Sequence, residues 1–192
     1  MPEWLTGRFA KPYFVSSILT VTSIPSPPPM RAEGKMLADS PIPLPKVVLI
    51  QNQDQLDLAL AIRHQVFVVE QKVDPTEEYD LFDPLEVHSA ACAHFLAQVG
   101  EKAVGTARLR KTENGVKLER FAVLLEARKI GAGRALIRAC LEHLPPGTRL
   151  VYLHAQEHAL GFYEKAGFRP VGERFFEAGI PHFKMQLEIE RV

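Results

Sequence analysis

The sequence predicts an α/β (α+β) fold, a mixed, mainly antiparallel sheet flanked by helices. Three observations lead there. Strand-like runs at residues 90–99, 103–110 and 116–123 are parted by Gly100-Glu101-Lys102 and Glu113-Asn114-Gly115, and Asn-Gly is a strong hairpin signal, so the three form a meander. The third run leads through a basic glycine turn, Arg128 to Gly133, into an amphipathic run at 135–143 that reads as a helix. A further strand, a short helix and a last strand pair give the order β, α, β-β-β, α, β, α, β-β. That is not the strict strand–helix alternation of a doubly wound sheet.

The elements follow in order. Nine of the 15 prolines fall within residues 1–45, and Pro27-Pro28-Pro29 and Pro41-Ile42-Pro43-Leu44-Pro45 cannot sit inside a helix or a central strand. Residues 1–45 are therefore expected to be an extended, disordered arm, and 46–192 the folded domain. The apolar residues 13–24, with Arg8 and Lys11 before them, faintly suggest a targeting peptide, but Glu3 spoils the pattern and no small-residue cleavage site follows. A linker, or a start nearer Met30 or Met36, is preferred. Val47-Val48-Leu49-Ile50 is the first strand. Asn52-Gln53-Asp54 can cap a helix, and Leu56, Ala59, Leu60, Ile62, Arg63, Val66 and Phe67 recur at helical spacing. Asp74-Pro75 breaks that segment. Glu77-Glu78-Tyr79-Asp80 and Asp83-Pro84 form an acidic loop, either a solvated connection or a rim that attracts a cationic substrate. After the meander and glycine turn, Pro145-Pro146-Gly147 ends the helix region. Residues 150–155 form a strand, 159–166 a short helix with Gly167 as C-cap, and 169–177 and 182–189 the final pair, joined by Ala178-Gly179-Ile180-Pro181.

Composition narrows the function. Lys+Arg and Asp+Glu number 23 each, so the formal net charge is zero; non-specific nucleic-acid binding needs a basic face instead. Cys92 and Cys140 form no CxxC pair, so neither a disulfide framework nor a zinc knuckle is indicated. No apolar run approaches the roughly 20 residues of a spanning helix. In the turn Arg128-Lys129-Ile130-Gly131-Ala132-Gly133-Arg134, glycines let the backbone approach a ligand, and the N–H groups lie at the positive end of a helix dipole. Alone, it is an anion-binding turn or merely a solvated basic one.

The segment Arg128-Lys129-Ile130-Gly131-Ala132-Gly133 matches the Arg/Gln-x-x-Gly-x-Gly/Ala signature of the GNAT superfamily of acetyl-CoA-dependent N-acetyltransferases, and the chain resembles that superfamily over residues 46–190. Phe162-Tyr163-Glu164-Lys165-Ala166-Gly167-Phe168 resembles a second signature. Val66-Phe67-Val68-Val69-Glu70-Gln71 and Gly179-Ile180-Pro181-His182 resemble a branch of small, poorly characterised bacterial members. The resemblance implies acetyl transfer from acetyl-CoA to a primary amine of a small acceptor, by direct attack on the thioester. No metal, membrane or nucleic acid is implied, and the setting would be cytoplasmic, the protein a monomer or homodimer. A catalytically silent acyl-CoA-binding regulatory module is the alternative. Lys129, Ile130, Gly131, Ala132, Gly133 and Arg134, with Arg128, would cradle the pyrophosphate. Phe121, Ala122 and Val123 map to the strand edge that pairs with the pantetheine arm, the Val123 N–H facing the thioester oxygen. Gln156 stands where many relatives carry Asn. Glu119 is the first candidate general base, unless it pairs with Arg108, Arg110 or Arg120; His88 is its rival. Tyr163 takes the place of the usual general acid. The acceptor pocket would draw on residues 63–89 and 174–183, including Arg63, Glu70, Asp80, His88, Arg174 and His182. The Phe-Val-x-Glu-Gln region also resembles acyl-homoserine-lactone synthases, but the glycine-rich turn argues against an acyl-carrier donor.

Overall fold

A computed structural model describes residues 44–89 and 91–190. The arm expected over residues 1–45 lies, up to residue 43, outside them. Seven strands form one sheet in the order β1-β2-β3-β4-β5-β7-β6: β1 is Lys46–Leu49, β2 Cys92–Val99, β3 Lys102–Thr112, β4 Gly115–Val123, β5 Leu150–Gln156, β6 Arg169–Glu177 and β7 Ile180–Glu188. All neighbours are antiparallel except β4 and β5. That parallel pair is joined through the helix Ala132–Glu142 (α3), the crossover that parallel strands require.

Helices cover both faces because the strands alternate apolar side chains between them. On β2, Phe95 joins a core with Leu109, Leu118, Leu136, Ile137, Leu153 and Met185, whereas its neighbour Leu96 joins Ile50, Leu56, Ala59, Ile62 and Ala122. The first core sits under α3, whose buried residues Ala132, Leu136, Ile137 and Cys140 fall on one stripe. The second sits under the helix Gln53–Arg63 (α1), capped by the Asn52 side chain, which accepts from the Gln55 N–H at 3.0 Å.

Three elements differ from expectation. Helix α1 does not run on regularly through Phe67: residues His64–Glu70 are π-helical, and Val73 N–H reaches back to Phe67 C=O. Helix α3 starts inside the glycine turn, at Ala132 rather than Ala135, because Gly131 at φ +95° serves as its N-cap. The short helix narrows to Leu160–Glu164 (α4), led by a 3-10 turn.

The acidic loop is neither a solvated connection nor an acidic rim. It carries a one-turn helix, Pro75–Glu78 (α2), and turns Glu78, Asp80 and Asp83 inward while Glu77 stays exposed. Arg63, only 1% exposed, gives its guanidinium to Glu78 and Asp83 and to the Glu78 carbonyl. Arg108, equally buried, binds Asp80, Asp83 and Glu119. Buried charges persist only when paired, so the loop is tied to β3 and β4 by ions it cannot expose cheaply. Replacing Arg63 by Ala takes the nearest cation from two buried carboxylates and should cost about 3–5 kcal/mol of unfolding free energy, read from the urea midpoint. A loss below about 1 kcal/mol would mean that the network contributes little.

Candidate active site

Strands β4 and β5 part almost as soon as they meet. Only Val116↔Val151 and Lys117↔Tyr152 pair between them, and beyond those residues the two strands leave a split. A bulge in β4 lies beside it: the β3–β4 register shifts between Thr106 and Arg108, and Arg120 takes φ +57°. Positive φ is strained for a side chain of that size. Arg120 is held by Asp80 (3.2 Å) and Glu78 (3.6 Å). Past the bulge, Val123 pairs with Gly105, and Leu124 N–H, not Val123 N–H, reaches Val104 C=O at 2.9 Å. Val123 therefore holds a non-hydrogen-bonded position of that ladder, and its N–H faces the split.

The glycine turn follows directly. Lys129 and Gly131 both have positive φ, and the first hydrogen bond of α3 runs from Ala135 N–H to Gly131 C=O. The N–H groups of Ala132, Gly133 and Arg134 are thus first-turn donors with no carbonyl four residues back in the helix. Gly133 is needed for another reason as well: a Cβ there would stand 3.1 Å from the Phe162 ring. Phe162 is 39% exposed, whereas Tyr163 is 8% exposed among Phe121, Phe162 and Phe168. Of the two adjacent aromatics, Tyr163 is the packed one and Phe162 covers the turn. The Tyr163 ring meets Phe121 edge-on at 6.0 Å, which places the phenol against the same strand that ends in Val123. Burial pushes that phenol well above its ordinary value, so it stays protonated.

Other residues singled out in the sequence fall elsewhere. Glu119 lies on β4 among cations: Arg108 and Arg110 at 2.9 Å and Lys117 at 3.3 Å. Burial opposes its ionisation, but the Arg110 hydrogen bond and the charges of Arg108, Lys117 and Arg110 outweigh that and bring the carboxyl to about 2. Such a carboxylate is a counter-ion and a poor proton acceptor, and pairing with Arg108 and Arg110 is the role its geometry supports. Arg63 and Asp80 belong to the buried network. His88 stacks on His94 at 4.2 Å with both ring nitrogens buried, so it presents no basic nitrogen to an acceptor. Arg128 is not free for a pyrophosphate: it binds Glu70 bidentately at 2.7 and 2.6 Å, and its Nε–H donates to Val123 C=O at 3.0 Å. Gln156, the last residue of β5, donates to Gln71 at 2.8 Å. Arg174 is half exposed, 3.8 Å from Glu157.

His182 sits opposite Gln156 across β5 and β7, on the same sheet face, stacked on Phe175. Its Nδ1 lies 2.8 Å from Ile180 C=O. A carbonyl only accepts, so Nδ1 carries the proton and Nε2 keeps a lone pair. Sequence pattern alone left His182 as a pocket residue; the turn that fixes its tautomer follows from Ile180-Pro181 and was not visible in spacing.

Residues 84–189 match the model of the acetyltransferase (GNAT) domain. The chain belongs to the GNAT family. This GNAT protein is 39% identical over 142 residues to YjcF of Bacillus subtilis, an uncharacterized N-acetyltransferase, a match that spans 73% of this chain and 97% of that one. Among solved structures it resembles ElaA of Escherichia coli, with 31% identity, a TM-score of 0.65 and coverage of 75% and 99%. It also resembles an acyl-CoA N-acyltransferase from Pseudomonas aeruginosa, with 30% identity, a TM-score of 0.63 and coverage of 74% and 98%. Acyl transfer is the general activity that GNAT membership carries. Among the described residues, no helix is long and apolar enough to cross a membrane.

The stacked histidines make the domain acid-sensitive. Burial, then the neighbouring His88, brings His94 from 6.5 down to about 4. The unfolded chain takes that proton near 6.5 and the folded one only near 4, so stability is lost as pH falls across that window. Urea midpoints should drop between pH 7 and pH 4, and His94→Gln should flatten that drop. An unchanged slope in the variant would show that other groups control it.

Proposed function

We propose that this GNAT protein transfers the acetyl group of acetyl-CoA to a primary amine of a small acceptor by direct attack on the thioester. The parting of β4 and β5 beside an outward-facing Val123 N–H carries the reading. An extended, amide-rich pantetheine arm can pair with the open edge of β4 as an added strand. The pyrophosphate would then meet the first-turn N–H groups of α3, with Lys129 and Arg134 exposed beside it; this is the usual chemistry of a helix start. Arg128 would contribute through the backbone it holds.

Each residue then has a step it is chemically fit for. The acceptor must attack as the free amine, since an ammonium has no lone pair. His182 Nε2, left basic by the Nδ1–Ile180 contact, takes the proton directly or through water. This role passes from Glu119, whose low pKa and three cations leave it little proton affinity. As the tetrahedral intermediate forms, the Val123 N–H donates to its oxyanion, a contact worth on the order of 3 kcal/mol. On collapse the C–S bond breaks and the amide carbonyl re-forms; Tyr163 donates its phenolic proton to the departing thiolate, and the second proton of the former amine nitrogen returns to the phenolate.

A catalytically silent acyl-CoA-binding module would share the split and the turn but not need Tyr163 or His182. Assays of CoA release over a panel of amines separate the two. Tyr163→Phe should lower kcat about 100-fold, and His182→Gln should lower it similarly and remove the acidic limb of its pH profile, with acetyl-CoA affinity near wild type in both. Acetyl-CoA binding without release from any amine would sink the enzyme reading.

A further inference from the structure

The last residue of the π-helical segment and the residue that caps it reach opposite lips of the split. Glu70 binds Arg128, which in turn donates to the carbonyl of Val123, the last residue of β4. Gln71 accepts from Gln156, the last residue of β5. The strands are hydrogen-bonded to each other only near their starts. Their free ends are therefore spanned by a bracket whose crosspiece is residues 70 and 71.

The bracket's geometry is specific. A bidentate carboxylate–guanidinium contact fixes both distance and plane. The segment that presents it is π-helical, a geometry that recurs at functional sites. Lys72 follows at φ +62°, a strained conformation that ends the segment directly after Gln71. The ion pair is more than one-third exposed on both sides, so its worth to overall stability is small. Together with the Gln71–Gln156 contact, it links the ends of β4 and β5. It also occupies the Val123 carbonyl, leaving the N–H as the polar group that this residue turns to the split.

The geometry points to Glu70 and Gln71 as positioning residues of the acyl-transfer reaction: together they set the width of the β4–β5 split and so the placement of the thioester against Val123. This rests on the acetyltransferase reading above. Neither residue touches the reacting atoms. Loosening the bracket should misplace a bound thioester without preventing its binding, and a misplacement of the order of 1 Å costs rate steeply.

The test compares the full-length wild type with Glu70→Gln, Gln71→Ala, the double variant and the conservative Glu70→Asp. Acetyl-CoA is the donor and the best amine of the panel the acceptor. Glu70→Gln and Gln71→Ala should each lower kcat about tenfold, with acetyl-CoA Kd within about threefold of wild type. Because both arms hold one element, the double variant should lose little beyond the worse single, and Glu70→Asp should recover part of the loss. Unchanged kcat in both singles overturns the proposal, as does a kcat loss matched by an equal loss of acetyl-CoA affinity. If the wild type releases no CoA with any amine, the acetyltransferase reading has failed. The bracket is then judged by amide exchange across residues 64–73 in the presence of acetyl-CoA. Exchange at least about fivefold faster in the variants keeps the bracket, and equal exchange overturns it.

Discussion

Everything at the centre of this molecule depends on β4 and β5 pairing for two residues and then separating. A parallel pair that continued would bury the Val123 N–H in a ladder bond and close the sheet. The separation leaves an open strand edge inside an otherwise continuous sheet. It lies beside a bulge that sets Arg120 at positive φ, and bulges recur next to active sites because they terminate pairing and re-aim the backbone. The strain there persists because Asp80 and Glu78 hold the Arg120 guanidinium.

The same carboxylates explain why so much charge is buried close to the split. Arg63, Arg108, Glu78 and Asp83 are all buried. Such groups are costly to desolvate and repay the cost only in good geometry. Here they fasten the loop of residues 74–89 to α1, β3 and β4, so the ground on the α1 side of the split is fixed before any substrate arrives. Glu119 serves that network, and His182, on the same sheet face, keeps a lone pair on Nε2 because its Nδ1 meets the Ile180 carbonyl.

Much of this was legible in the residues. Asn114-Gly115 marked the hairpin, the basic glycine turn marked the start of α3, and Phe162-Tyr163 marked the helix after β5. What was not legible was pairing. Sequence places Glu119 on a strand near the split but does not say that Arg108, Arg110 and Lys117 converge on it across three positions of the β3–β4 ladder. Nor does it show that Asp80 and Asp83 face inward, since an acidic loop reads the same whether its carboxylates meet water or a buried arginine. Glu70 and Arg128 are 58 residues apart, and no local pattern couples them. The π-helical turn escaped for a related reason: its apolar spacing over Val66 and Phe67 fits an α-helix equally well.

The central claim is that the free edge of β4, through Val123, receives the thioester arm. Amide hydrogen exchange of the 15N-labelled protein, measured residue by residue with and without acetyl-CoA, tests it most directly. The account predicts that the Val123 amide, unpaired in the β3–β4 ladder, becomes at least about tenfold better protected when acetyl-CoA is bound, together with the amides of Ala132 to Arg134. Protection confined to the turn, with the Val123 amide unchanged, would contradict it.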